Sequence, residues 1–339
     1  MGLPPSPTGP DRQGPLFPYE PLSPGGWTSA GWVLPAPPRR SAWQRWGRNL
    51  LLFVLTVISV FFVGGLRAVG LPGGSVVWGL DYVEGSQLVV GLLSILLAHE
   101  MGHYLTARRY GVDATLPFFI PFPVPGMSLV GTLGAFIRIR APIPHRKALF
   151  DIGVAGPLAG FAVCLPVLWL GILQARVMPT GHAEAGLMLG EPLLFQWMSR
   201  LVQGPIPDDR TLMLGPLGLA AWFGLLVTAL NLMPIGQLDG GHVTYALLRH
   251  RARRISILAS WVAVALVYFG PSWILWAVLV RVLGRRHPST LDDGAPVGRA
   301  RAWVGVLALV VFVLCFVPDP IQFSWRDFFE AMGLKQLLH

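Results

Sequence analysis

Leu96-Leu97-Ala98-His99-Glu100-Met101-Gly102-His103-Tyr104-Leu105 sets two histidines and a glutamate into an otherwise apolar run. On a helix, positions i and i+4 differ by only ~40° in azimuth and one turn in height, so His99 and His103 can face one tetrahedral metal ion. Glu100 then stands beside the metal, where a carboxylate can take the proton of a water that zinc has brought to a pKa of about 7. An H-E-x-x-H match also occurs by chance on amphipathic helices facing water. The setting here is different: a carboxylate within a transmembrane segment costs ~2.5–3.5 kcal/mol on insertion scales, so an ionisable trio there marks a functional site.

Composition supplies the membrane. The chain has 339 residues, room for one or two domains at roughly 100–200 residues each. Hydrophobic residues make up 53% and charged residues 13%, about half the roughly 25% charge of a soluble domain, and the mean hydropathy is +0.57. A soluble monomer is excluded. Lys and Arg number 26 against 17 Asp and Glu, and in so apolar a chain that excess marks cytoplasmic loops rather than a nucleic-acid partner. The expected partner is the lipid bilayer. Cys164 and Cys315 lie in apolar runs and read as small hydrophobes rather than as a disulfide or metal pair.

Residues 1–45 are crowded with Pro, Gly and Ser and predict a disordered tail. No basic n-region leads directly into an apolar h-region there, so no cleaved signal peptide is expected. Residues 46–318 form the expected integral-membrane domain, with a core at about 85–245, and 319–339 a C-terminal tail. Apolar segments near the ~20 residues of a membrane span run at about Leu50–Leu66, Leu88–Leu105, Ala148–Leu173, Leu212–Met233 and Ala302–Val317. Ser256–Leu283 is ~42 Å long as a helix and is interrupted at Gly270-Pro271. One span there gives six in all. A hairpin gives seven and returns Arg281, Arg285, Arg286, Arg299 and Arg301 to the cytoplasm. The fold class expected is an all-α polytopic membrane protein of about six helices, with a small membrane-associated hairpin between the second and third.

Arg39, Arg40, Arg45 and Arg48 place the N-terminus in the cytoplasm, and counting spans puts Arg108, Arg109, Arg138, Arg140, Arg146 and Lys147 there too. A catalytic zinc needs a third protein ligand. The fourth segment ends Asn231-Leu232-Met233-Pro234-Ile235-Gly236-Gln237-Leu238-Asp239-Gly240-Gly241-His242, where Asp239 is the only carboxylate nearby. Alone this is ordinary turn chemistry. The span count, however, brings Asp239 and His103 to the same membrane depth at the cytoplasmic side.

Together the two motifs resemble the site-2 protease family of intramembrane zinc metalloproteases, peptidase family M50. Its members pair H-E-x-x-H in one span with N-x-x-P-x-x-x-L-D-G in a later one. Asn231, Pro234, Leu238, Asp239 and Gly240 fill that pattern in register, and Gly131-Thr132-Leu133-Gly134-Ala135 and Gly156-Pro157 also correspond. The resemblance implies one Zn2+ per chain held by His99, His103 and Asp239, Glu100 as general acid/base, and Asn231 as a catalytic polar group near the scissile carbonyl. It also implies a transmembrane protein substrate, cut to release a cytoplasmic fragment. Many members carry an Asn shortly after the Gly-Pro, whereas this chain reads Leu158-Ala159-Gly160. No stretch is long enough for the PDZ or CBS domains of many members, so the compact, PDZ-less branch is the nearer match. The expected localisation is a multi-pass bacterial inner membrane protein with its site toward the cytoplasm.

His242 reads as a neighbour of the metal rather than a ligand, since three ligands and water fill a tetrahedral site. His145 and His182 read as solvated. Phe136, Arg138 and Arg140 alternate with Ile137 and Ile139, as in a strand with one apolar face. Beside the site such an edge can take an unwound substrate as an added strand. Trp325, Phe328, Phe329 and Met332 predict a short amphipathic surface helix. The alternative functions are an intramembrane metal-binding transporter, in which Glu100 is a ligand or gate, and a non-catalytic membrane scaffold.

Overall fold

The structure, a computed structural model, describes residues 42–70, 76–124, 128–179, 188–268, 270–271, 273–274, 277–278, 290–294 and 296–322. The N-terminal tail, His182 and the amphipathic segment from Ser324 lie outside the described residues.

The chain opens with helix α1 (Ala42–Gly65), followed by an antiparallel pair, β1 (Leu66–Gly70) and β2 (Val76–Leu80). Helix α2 (Tyr82–Arg109) carries the H-E-x-x-H motif. Asp81 caps it, accepting from the N–H groups of Val83 at 2.9 Å and Glu84 at 3.0 Å, and Arg108 and Arg109 sit at its C-terminal end, where the helix dipole favours cations. A second pair, β3 (Phe118–Pro121) and β4 (Thr132–Phe136), leads to helix α3 (Arg146–Gln174). Then come β5 (Arg176–Pro179), α4 (Leu193–Gln203), β6 (Arg210–Met213) paired with β5, and α5 (Pro216–Leu232). The turn at Met233–Leu238 breaks α5 from α6 (Asp239–Leu248), and α7 (His250–Ala265) and α8 (Arg299–Cys315) follow.

Three helical segments, Trp46–Gly65, Tyr82–Arg109 and Arg146–Gln174, are long and apolar enough to cross a membrane, and α5 is a shorter apolar helix. The described fold is thus mostly helical with small antiparallel sheets. The outward face of α1 shows Leu50, Leu51, Val54, Leu55, Ile58 and Phe62, a patch that only lipid or another protein would cover.

Several expectations are corrected. The fourth segment begins its helix at Pro216 rather than Leu212, because Arg210–Met213 pairs with Arg176–Pro179 as a strand. The stretch read from Ser256 belongs to α7, which starts earlier at His250, ends at Ala265 and passes into one 3-10 turn at Leu266–Tyr268. The strand expected over Phe136–Arg140 lies instead at Thr132–Phe136, paired with the proline-flanked Phe118–Pro121, and beyond it Ile139 makes an isolated bridge to Ala114. His145 is not simply solvated. It caps α3, accepting from Ala148 N–H at 3.1 Å, and its ring meets Tyr110 edge-on at 5.6 Å. Cys164 and Cys315 are buried free thiols, and the Cys164 thiol donates to Ala221 C=O.

At the centre α3 packs on α2, α5 and α6, and small residues let the backbones meet. Gly171 lies against Gly218, where an added methyl would stand 2.6 Å from backbone, and Gly91 faces Ala220. Tyr110, Asp151 and Arg301 clasp the end of α2, the first turns of α3 and α8 together. The Arg301 guanidinium grips the Asp151 carboxylate with two bonds of 2.8 and 2.7 Å, and the Tyr110 hydroxyl donates to the same carboxylate.

Candidate metal centre

His99 and His103 are buried on the last turns but one of α2, one turn apart as their spacing requires. Asp239 is the first residue of α6, delivered there because Pro234 and Gly236 end the preceding helix before it can run past the site. His99 Nε2 and His103 Nε2 lie 3.2 Å apart, and Asp239 Oδ2 lies 3.4 Å from the first and 3.2 Å from the second. Bonds of ~2.1 Å arranged tetrahedrally put ligand atoms about 3.4 Å apart, so the three atoms fit one Zn2+. Among the described residues no other His, Cys, Asp or Glu group has this convergence.

The ring orientation is fixed from behind. His103 Nδ1 lies 2.7 Å from Ile152 C=O, and a carbonyl only accepts, so Nδ1 carries the proton and Nε2 presents its lone pair to the centre. Gly156 makes room for that ring: any Cβ at this position would overlap the His103 imidazole. Gly160, which stands shortly after the Gly-Pro where many site-2 proteases have an Asn, lies against His99, 3.1 Å from its Cβ to an added methyl. The cradle is therefore built from two missing side chains on α3.

Glu100 is buried beside the ligands, and the segment after β4 carries Ile137 and Ile139 into one apolar cluster with Tyr104 and Ala107 of α2 and Ile152 of α3. Backbone bonds give that segment a definite place. Arg138 C=O accepts from Thr115 N–H at 3.0 Å and Arg140 N–H donates to Asp113 C=O at 2.8 Å, flanking the Ala114–Ile139 bridge. Alternate residues of a strand bond to opposite sides, so the main-chain groups of Ile137 and Ile139 point away from residues 113–115. Asn231, on the last turn of α5, has Nδ2 at 3.3 Å from His99 Nε2. His242 lies along α3 at Gly153, outside the converging set.

Two groups of residues went unread in the sequence. Asn49 and Ser59 are buried polar residues of α1 bonded to the β3–β4 segment, and their signal was polar side chains within an apolar run. The Tyr110, Asp151 and Arg301 clasp joins positions too far apart for any spacing rule to connect.

An H-E-x-x-H helix with a distant Asp closing the ligand set, held among helices fit to span a membrane, defines the class of membrane-embedded metallopeptidases. The comparisons agree. Residues 87–270 match the sequence profile of Peptidase family M50. The chain is 30% identical over 311 residues to "Probable zinc metalloprotease EGY1, chloroplastic" of Oryza sativa subsp. japonica, covering 84% of this chain and 52% of that protein. The Arabidopsis thaliana protein of the same name is 30% identical over 253 residues, covering 73% and 44%, and "Probable zinc metalloprotease EGY2, chloroplastic" of that plant is 28% identical over 283 residues, covering 83% and 47%. The chain spans about half the length of these curated relatives. It belongs to peptidase family M50, the site-2 protease family.

Proposed function

We propose that the chain is an intramembrane zinc metalloendopeptidase that cuts peptide bonds within or near transmembrane segments of membrane-anchored proteins. The observation that carries the reading is the meeting of His99, His103 and Asp239 within 3.4 Å of one another beside a buried Glu100. His99, His103 and Asp239 hold the metal. Zinc there supplies a Lewis acid that makes water a nucleophile near neutral pH. Glu100 takes the proton of the attacking water and returns it to the leaving amine. Asn231 donates to the oxygen that gains negative charge as the carbonyl carbon becomes tetrahedral.

The domain boundaries carried forward are 46–318 for the membrane enzyme, with tails on either side, crossing the bilayer about six times. The arginines around the C-terminal end of α2 support an active site opening on the cytoplasm-like face. The relatives carry chloroplast names and lend no support to a bacterial inner membrane in particular. The edge at Ile137 and Ile139 supports capture of an unwound substrate as an added strand. A proline at Ile137 or Ile139 that left cleavage intact in a folded enzyme would end that part of the reading.

The experiment is zinc content per chain, with cleavage of a single-span reporter, for wild type, Glu100→Gln and Asp239→Ala. About one zinc in the first two, less in Asp239→Ala, and cleavage by wild type alone is the expected result. Glu100→Gln that still cuts would remove Glu100 as the general base, whereas folded wild type that holds zinc yet cuts nothing would favour a transporter or scaffold. Folded wild type that takes up no zinc after loading would remove the metal centre itself.

A further inference from the structure

In a bilayer core every backbone N–H and C=O must find a partner within the protein. Between Asp113 and Arg140 the described residues meet that demand least easily, since they form short strands, bridges and turns rather than helix. α1 answers it at two heights. Asn49, buried, donates from Nδ2 to Leu116 C=O at 2.8 Å and Pro117 C=O at 3.0 Å. Ser59, also buried, donates from Oγ to Gly131 C=O at 2.5 Å. Ten residues of helix separate the two donors by ~15 Å, so they hold the hairpin near its base and near its tip. Between them Phe53 meets Phe119 edge-on at 5.0 Å. At Gly131 the chain runs so near α1 that an added methyl would lie 2.7 Å from Ser59 C=O, and its φ of +79° already favours glycine. The same hairpin then carries Ile137 into the apolar cluster with Tyr104 and Ala107 of α2, the helix that bears Glu100.

We propose that Asn49 and Ser59 are positioning residues, which fix through the Leu116, Pro117 and Gly131 carbonyls how deep the 113–140 hairpin sits and so where Ile137 stands against α2, the helix that bears Glu100. The inference rests on the proteolytic reading above. Neither side chain reaches the ligands, and both act only as hydrogen-bond donors to backbone. Thr56 supplies the contrast. It is as buried on the same helix, but its hydroxyl bonds back to Leu52 C=O of α1 and holds nothing else.

The test uses the full chain in lipid nanodiscs and compares Asn49→Asp, which keeps the size and loses the donor, Ser59→Ala, Ser59→Thr and Thr56→Val. Three quantities are read: zinc per chain, hydrogen–deuterium exchange of the 113–140 amides, and kcat and KM on a single-span reporter peptide. Asn49→Asp and Ser59→Ala are expected to keep zinc and the protection of α2 and α3, to raise hairpin exchange about tenfold, and to lower kcat about 10- to 100-fold with a smaller change in KM. Ser59→Thr restores both, and Thr56→Val behaves as wild type. Unchanged hairpin exchange in the donor variants overturns the proposal, as does faster exchange without loss of kcat, or a Thr56→Val variant as impaired as Ser59→Ala. If Asn49→Asp does not fold, Ser59→Ala against Ser59→Thr decides alone. Wild type that holds zinc yet cuts nothing would count against the proteolytic reading, while the exchange pattern still tests the docking without substrate.

Discussion

The ligand cradle and the β3–β4 hairpin both pack against α2 and are held by different means. In the cradle, α3 approaches α2 through glycine, and the position of His103 is set by the absence of a side chain at Gly156 together with one carbonyl at Ile152. The hairpin is held by donors from α1, Asn49 and Ser59, with a close backbone approach at Gly131. Close packing tolerates almost no added volume, because a packed interior has nowhere to move. Away from Gly131 a bonded segment tolerates volume but not the loss of a donor. The metal side of the site should therefore fail all at once, and the substrate side by degrees.

The hardest blow to that contrast is a single methyl. Gly156→Ala is expected to displace the His103 ring, abolish stoichiometric zinc and cost about 100-fold or more in turnover. Gly134→Ala in β4, with a φ of +104° and open space around it, should cost only backbone strain of about 1–2 kcal/mol and keep its zinc. Metal content of the two purified variants checks the pair, and equal losses would erase the distinction. Next in size, Asn231→Ala should lower kcat about 100-fold while zinc stays bound, which separates a group acting on the reacting carbonyl from one that builds the cradle. A smaller effect is expected at the clasp outside both regions. Asp151→Ala, read by thermal unfolding, should lose about 1–3 kcal/mol with its two charged bonds to Arg301.

The smallest effect is a pH dependence at the strap formed by residues 290–294, whose Leu291 and Asp292 N–H groups donate to Ile143 and Pro144 just before α3. Burial works against the charge on Asp293, but hydrogen bonds from Thr290 and Tyr245 outweigh it and hold the carboxyl below the usual range. A carboxyl lowered in the folded state adds stability above its unfolded pKa of about 4, and that stability is lost as pH falls. Melting temperatures of wild type and Asp293→Asn should accordingly converge between about pH 5 and pH 3. A gap that stays constant over that range would mean that the Asp293 charge plays no part.

The ligand set was legible because two separate constraints coincide in it. Helical spacing aligns His99 with His103, and the cost of charge in a membrane makes Glu100 and Asp239 conspicuous in their apolar surroundings. The first three spans were legible for the same reason, as long apolar runs bounded by arginine. β3 was not, since Pro117 and Pro121 at its ends read as loop, and its register is set by Asn49 and Gly131, far away in sequence. The shortness of α5 came from strand pairing of Arg210–Met213 with Arg176–Pro179, which no local pattern in either segment announces. Gly156-Pro157 was visible as a motif, but that its glycine is a space for an imidazole emerges only when α2 and α3 are brought together.

The clasp between Asp151 and Arg301 joins residues 150 apart in the chain, whereas the last of the three proposed ligands is Asp239. Synthesis runs from the N-terminus, so a growing chain has all three proposed ligands some sixty residues before α8 exists. Through that interval Asp151 enters the bilayer region without its guanidinium, a carboxylate that resists insertion until α8 arrives. Biogenesis thus has a built-in order, in which the centre can form early while the helix that secures α3 is delivered late.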